Sequence, residues 1–360
     1  MRRVLISCAL ACLGFGFTAL AGSGSVQDGR RIVAVGDVHG AADSFAAILQ
    51  AAGLIDANKR WVGGRSVLVQ TGDVTDRGAG TKAALDLLMS LEKQAAKSGG
   101  RVHFLLGNHE VMNLTGHMRD ATPEIFASFG GEAAMRQAFG PDGQYGRWLR
   151  SKPVIAPLDD TIFMHAGISP AESTLSINEL NSRAKRELEA WDAGVRLLVK
   201  QKLVPPAPEF SQAAEAARVE IERLNGLAAA GNVPPDAPQV AALLLPVANI
   251  GGSSLYRPDG PLWFRGYDNW TDDEGAPLAA GLLKRYKVRR FVTGHSVQRD
   301  GRIRERFGGA LFLIDTGMLG RPYYPGGRPS ALIIAGDPPR PLYLPDAQAA
   351  APLPRPAAMF

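Results

Sequence analysis

The chain has 360 residues, 46% hydrophobic and 21% charged, with a formal net charge of +5. That is ordinary globular composition, enough for one large domain or two smaller ones. Both cysteines, Cys8 and Cys12, fall in the first dozen residues, so the body of the chain is read without a disulfide framework or thiol chemistry.

Arg2 and Arg3 precede an uncharged apolar run from Val4 to Ala21 that ends in Ala19-Leu20-Ala21. A basic head, an apolar middle and a small-residue site are the parts of a secretory signal peptide, here residues 1–21 with cleavage after Ala21. The mature protein is then exported, periplasmic or secreted, without stable membrane association. An uncleaved N-terminal anchor is the alternative, because the run is only slightly shorter than the ~20 residues that span a bilayer. Taking Arg2 and Arg3 from the 40 basic residues leaves 38 against 35 acidic ones. This excess is scattered and forms no basic cluster interleaved with aromatics, so no nucleic-acid partner is expected.

Five short apolar runs then recur, each ending in a polar cluster that contains glycine. RIVAV leads into GDVHG (36–40), SVLVQT into GDVTDRG (72–78), RVHFLL into GNHE (107–110), TIFM into HAG (165–167) and RRFVT into GHS (294–296). Runs of this length, rich in Val, Ile, Leu and Phe and stopped by Gly, read as buried strands. Helical segments separate the first three, one from residue 43 with Asp43 as N-cap and one from residue 81. This alternation predicts an α/β fold with helices outside the sheets. Residues 171–250 differ: two long helical patterns flank the Pro-rich VPPAPEF, and GNVPPDAPQ closes a helical insertion. From 346 to 360 the chain is an Ala/Pro-rich tail.

Ligands of open α/β sheets gather beyond the carboxyl ends of the strands. The run ends therefore converge Asp37, His39, Asp73, Asn108, His165 and His295 on one edge, with Asp76 and His109 close by. Imidazole, carboxylate and amide oxygen suit Mn, Fe or Zn. Two neighbouring cations repel, and a carboxylate between them relieves the repulsion; Asp73 is the candidate bridge. Each motif alone reads as a loop or cap. Four of the six histidines lie within the motifs, and the ordered set points to a metal centre.

The order and wording of GDVHG, GDVTDRG and GNHE resemble the metallophosphoesterase superfamily, in particular the phosphoprotein phosphatases. GPLWFRGYD (260–268), VTGHSVQ (292–298) and IDTGM (314–318) are most similar to the bacterial Shewanella-like phosphatases. The resemblance covers residues 31–335. It implies two packed mixed β-sheets flanked by helices, one domain over 30–345 that includes the insertion, and two divalent transition metal ions, Mn foremost, with Fe and Zn also suited. One ion would take Asp37, His39 and Asp73, and the other Asp73, Asn108, His165 and His295. Thr75 departs from the Val usual in eukaryotic relatives, and GHS from their Arg-Ala-His. Neither change removes a ligand.

Two cations roughly 3.5–4 Å apart can hold a hydroxide between them and polarise a phosphoryl oxygen. Guanidinium forks match phosphoryl oxygens, which suits Arg77, just past Asp73 in the same turn, to phosphate; the resemblance implies the same role for Arg265, and an ion pair with Asp268 is its other reading. His109 follows Asn108 and is the expected general acid, with Asp76 orienting its ring. His103 is read as a packed strand residue and His117 as a loop residue near the site mouth. Asp315 either supports a ligand histidine or forms a turn. The expected function is hydrolysis of phosphorylated proteins or peptides, and the resemblance implies phosphotyrosine, with Trp263, Phe264 and the insertion walling a pocket. The alternatives are a nucleotide or dinucleoside polyphosphate hydrolase and a non-catalytic module that binds metal and phosphate.

Overall fold

The computed structural model describes residues 31–344; the expected leader and the tail from 346 lie outside them. Strands and helices alternate at first, β1 (Ile32–Val35), α1 (Ala42–Ala51), β2 (Val67–Gln70), α2 (Thr81–Lys97) and β3 (Arg101–Phe104). Four short helices follow, α3 (Asn108–Leu114), α4 (Pro123–Phe129), α5 (Glu132–Phe139) and α6 (Gln144–Arg150), and then β4 (Ile155–Leu158) and β5 (Thr161–Met164). Next come α7 (Ile177–Lys200), α8 (Phe210–Ala229), α9 (Ala237–Ala248), α10 (Gly266–Asn269) and α11 (Asp272–Tyr286). The remaining strands are β6 (Arg290–Thr293), β7 (Arg304–Arg306), β8 (Leu311–Leu313), β9 (Ser330–Ile334) and β10 (Arg340–Tyr343).

The strands form two five-stranded mixed sheets, ordered β10-β9-β1-β2-β3 and β4-β5-β6-β8-β7. Side chains alternate across a strand, and this decides the layers. Ile32, Ala34, Val67, Val69, Phe163, Val292 and Phe312 share one buried cluster between the sheets. Their neighbours Val33, Val35, Leu68, Ile162, Met164 and Phe291 join Phe45, Ile48, Leu85 and Leu88 of α1 and α2 in another. Strands β1, β2, β5, β6 and β8 are buried throughout, covered on both faces, which is why they read as continuous apolar runs.

Helices α7, α8 and α9 carry their own core, including Trp191, Leu198, Ala217, Leu244 and Val247. A Cβ on Gly194 would stand 2.4 Å from Val247 Cγ2, so glycine is what lets α7 and α9 close on each other. Asn181 of α7 accepts the N–H groups of Val154 and Ile155, each at 3.0 Å, and donates to the Ile155 carbonyl at 2.9 Å. The edge strand β4 is thereby covered by a helix.

Two local expectations change. Helix α1 starts at Ala42 with no side-chain cap, and Asp43 lies inside its first turn, where the helix dipole favours a carboxylate. Helix α9 occupies a stretch read as a proline-rich close. Its first turn accepts Pro238 because the leading N–H groups lack helical partners, and packing on α7 and α8 carries it through Pro246. Among the described residues no helix is long and apolar enough to cross a membrane.

Candidate metal centre

Strands β1, β2 and β3 run parallel to one another, as do β5 and β6. Their carboxyl ends meet at one edge of the sandwich. Asp37 and His39 follow β1; Asp73, Asp76 and Arg77 follow β2; Asn108 and His109 open α3 after β3; His165 follows β5 and His295 follows β6. Bonds across the sheets fasten this edge: His295 N–H donates to Asp37 Oδ1 at 2.9 Å, and His165 Nδ1 lies 2.9 Å from the Thr71 carbonyl.

The backbone here is strained. Of ten described non-glycine residues with positive φ, five are His39, Asp73, Asp76, Arg77 and His295. Such conformations cost about 1–3 kcal/mol each and persist where the surroundings over-determine them. Glycine makes room beside them: a Cβ on Gly107 would come within 2.2 Å of Asp73 Oδ1, and one on Gly294 within 2.3 Å of Asp37 Oδ1.

The side chains form two adjoining groups that share Asp73, namely His39, Asp73 and His109, and Asp73, His165 and His295. His39 Nε2 lies 3.7 Å from Asp73 Oδ2 and 3.8 Å from Asp37 Oδ2. His165 Nε2 lies 3.3 Å from Asp73 Oδ2 and 2.8 Å from Asn108 Oδ1. The Nδ1 atoms of His39 and His165 each meet a backbone carbonyl, of Thr75 and Thr71, at 3.0 and 2.9 Å. Those carbonyls need a donor, so Nδ1 carries the proton and Nε2 turns a lone pair inward. His295 reverses the pattern, with Nε2 at 3.3 Å from the Trp263 carbonyl, which leaves Nδ1 as its basic atom.

The result is a buried cluster of acceptors facing acceptors, and such a donor set fits divalent cations. Electrostatics agree. Burial, then the Asp315 and Asp73 charges, push the Asp37 carboxyl well above the usual range. Asp315 is pushed up to about 6, mainly by burial. Burial also pushes Asp73 up, but the imidazoles of His165 and His109 beside it outweigh burial and hold Asp73 well below. Burial first, and neighbouring histidines next, hold His39 and His295 well below the ordinary imidazole value. Neutral imidazoles are the form that ligates metal.

His109 is different. Its Nε2 reaches within 3.9 Å of Asp73 Oδ2, about as close as His39, so proximity alone does not separate it from the ligands. Its Nδ1, however, donates to the Asp76 carboxylate at 2.7 Å. Burial pushes His109 down, but the Asp73 charge and the Asp76 hydrogen bond outweigh it and hold the imidazole above its ordinary value.

Arg77 is half-buried over the cluster. Its Nη1 meets His39 Nε2 and the Tyr324 hydroxyl, and its Nη2 lies 3.1 Å from His109 Nε2. The guanidinium thus puts a cation where the His39 lone pair points. Arg265 is exposed and donates to the His295 carbonyl at 3.2 Å, whereas Asp268 accepts from Gln298 and Arg304. Asp315 forms a turn, accepting the Gly317 N–H at 3.0 Å. His103 sits in β3, and His117 stacks on Phe210 at 4.8 Å between ring centroids. The Trp263 and His295 rings meet edge to face with centroids 6.0 Å apart, whereas Phe264 packs on Tyr267 and Trp270, each at 5.5 Å.

Three neighbours had no assigned role in the sequence reading. Glu110, in the quoted GNHE, holds the turn at Asp73; Asn113, one helical turn on, holds Asp76. Tyr324, in RPYYPGG, has no local signal and meets the site only through the fold.

The sequence pattern of the calcineurin-like phosphoesterases matches residues 30–299. An uncharacterised protein of Schizosaccharomyces pombe is 30% identical over 294 residues, 80% of this chain and 73% of that protein. Shewanella-like protein phosphatase 1 of Plasmodium berghei is 36% identical over 162 residues, 44% of this chain and 45% of its own length. The crystal structure of a cold-active protein-tyrosine phosphatase of a psychrophilic Shewanella species shares the fold with a TM-score of 0.58 at 24% identity, over 84% of this chain and 74% of that chain. The chain belongs to the calcineurin-like phosphoesterase family and is a hydrolase of the phosphatase type.

Proposed function

We propose that the protein is a dinuclear-metal phosphomonoesterase that removes phosphate from tyrosine in phosphorylated proteins or peptides. Asp37, His39 and Asp73 would hold one ion, and Asp73, Asn108, His165 and His295 the other, with Mn the first to test. When bound, the ions supply Lewis acidity and a nucleophile at neutral pH. Arg77 would yield His39 Nε2 to the metal and turn its donors to phosphoryl oxygens, with Arg265 joining from the exposed rim. Planar forks of this kind bind such oxygens bidentately.

The observation that carries the reading is the buried His109–Asp76 pair beside Asp73. The ligand histidines each rest one ring nitrogen on a neutral carbonyl, whereas His109 rests on a carboxylate, which favours the protonated ring. That proton would pass from His109 Nε2 to the departing oxygen. Tyr324, at 6.2 Å from His39, and Trp263, at 6.0 Å from His295, flank the cluster from opposite ends. Aromatic walls favour an aryl ester over a short alkyl one, and the Shewanella enzyme of the same fold is named for that class. The N-terminal apolar segment supports export.

The test is turnover by the Mn-loaded mature chain of a phosphotyrosine peptide, a phosphoserine peptide and diadenosine tetraphosphate. Phosphotyrosine is expected to lead in kcat/KM by about tenfold, a difference of ~1.4 kcal/mol in transition-state binding. A lead for the dinucleotide would replace the substrate class. Binding without turnover of any of them would make the protein a phosphate-binding module.

A further inference from the structure

We propose that Asn113 and Thr75 are a positioning pair for Asp76 and His109, fixing the carboxylate so that the imidazole is held at one angle to the leaving group. The inference rests on the acid role given to His109 above.

Asn113 lies four residues after His109 on α3, so the two side chains share a helix face. Its Nδ2 donates to Asp76 Oδ1 at 2.9 Å, to the His109 carbonyl at 2.9 Å and towards Thr75 Oγ1 at 3.2 Å. Asp76 Oδ1 and the His109 carbonyl can only accept, so the nitrogen of the amide must face them. Thr75 Oγ1 lies 3.2 Å from Glu110 Oε1, and Glu110 is already accepting backbone N–H groups from Asp73, Val74, Thr75 and Gly107. The hydroxyl proton therefore goes to Glu110, and Thr75 can only accept from Asn113.

The chain of bonds has one direction: Asn113 to Thr75, and Thr75 to Glu110. Asp76 is the second branch, held at both oxygens, Oδ1 by Asn113 and Oδ2 by His109 Nδ1 at 2.7 Å. Every member is buried, with Thr75, Asp76 and Glu110 at 0% exposure and Asn113 at 1%. No solvent is at hand to replace a missing donor, so loss of Asn113 would free the Asp76 carboxylate to rotate. Valine at position 75 could neither accept from Asn113 nor donate to Glu110. The threonine here and the asparagine thirty-eight residues on therefore work as one device; Thr75 meets a ligand side chain, His39 Nδ1, only through its backbone carbonyl, which Thr75→Val keeps.

A positioning role differs from a structural one in how the loss depends on the leaving group. Asn113→Ala, Asn113→Asp and Thr75→Val would be compared with wild type on phenyl, p-nitrophenyl and dinitrophenyl phosphate, whose leaving groups need progressively less help from an acid. The expected result is a fall of about tenfold or more in kcat on phenyl phosphate, shrinking towards no change on the dinitrophenyl ester, with bound metal retained. Asn113→Asp keeps the shape but replaces the donor by an acceptor, so it should be at least as impaired as alanine. An equal loss on all three esters, or a loss of metal, would overturn the inference. So would wild-type behaviour of Asn113→Asp. If the Asn113 variants do not fold, Thr75→Val is nearly isosteric and gives the same reading alone.

His109→Ala in the same series separates the two claims. If it shows the leaving-group dependence and the Asn113 and Thr75 variants do not, the acid stands and the positioning pair falls. If His109→Ala loses equally on every ester, the acid assignment fails and this inference fails with it.

Discussion

Glu110 Oε2 accepts the backbone N–H of Asp73 at 2.7 Å, so a side chain on α3 dictates the turn that follows β2. The same oxygen accepts Gly107 N–H, and Oε1 accepts Val74 and Thr75. Asp73 sits in the left-handed region at φ 56°, where a residue with a side chain stays only when its neighbours leave no alternative.

Glu110→Gln should therefore be costly. An amide offers two donors where the site needs only acceptors, which sets N–H against N–H at full burial. Each unsatisfied buried group costs about 1–3 kcal/mol, so the loss in urea unfolding should be about 2–4 kcal/mol, with reduced metal content in the folded fraction. A variant within about 0.5 kcal/mol of wild type, the range of ordinary surface changes, would show that the carboxylate does not secure the turn.

Asp73 is the group common to both halves of the cluster. Asp73→Asn keeps the shape and removes the charge between the cations, so both affinities should fall while the fold persists. Elemental analysis after gel filtration should find substoichiometric metal, and turnover should drop by about a hundredfold or more. Chelation of the wild type should abolish turnover and lower Tm by several degrees, because ligands that bind only the folded state stabilise it. Manganese should restore both. Full metal content in Asp73→Asn would end its assignment as the bridge.

How much of this was legible in the sequence depends on range. Apolar runs announced five of the strands, four of them buried on both faces, and the side chains just past their ends met as anticipated. The edge strands β7 and β10 carry Arg304, Glu305, Arg306 and Arg340 in place of an apolar run, and gave no such signal. Helix α9 was hidden because proline reads as a break, although Pro238 and Pro246 are held within a packed three-helix unit. At the site, spacing identified side chains that follow strands directly. It could not assign Glu110 or Asn113, whose roles come from the turn they face, or Tyr324, which lies 247 residues from the arginine it meets. Trp263 and Phe264 were read together as pocket walls. Adjacent residues in an irregular segment point in different directions, and only Trp263 faces the cluster.

The two arginines make separable predictions. Arg77 reaches into the cluster and contacts His39, His109 and Tyr324, while Arg265 is exposed and donates to the His295 carbonyl and Ser296. Arg77→Ala should lower kcat by about 10²–10³, the usual size for a preorganised group acting on developing charge. Arg265→Ala should act mainly on KM and on inhibition by inorganic phosphate, by about tenfold, since a rim contact binds ground state and transition state alike. Equal losses of kcat in both variants would show that the arginines share one role.

Trp263 and Phe264 allow the aryl preference to be tested against simple packing. The Trp263 indole is fixed by its Nε1 donating to the Leu255 carbonyl at 2.9 Å, stacks on Tyr256 at 6.5 Å and meets the His295 ring edge to face. Phe264 instead lies among Tyr267 and Trp270. Trp263→Leu should raise KM for a phosphotyrosine peptide by about tenfold, in line with the ~0.5–1.5 kcal/mol an aromatic pair adds beyond area burial, and leave a phosphoserine peptide nearly unchanged. Phe264→Ala should leave that ratio alone and lower stability by about 1–3 kcal/mol, less than the cost at a fully buried phenylalanine. Steady-state kinetics on the two peptides and urea unfolding decide it. If Trp263→Leu weakens both peptides equally, the indole acts through its hold on His295 and not through contact with an aryl substrate.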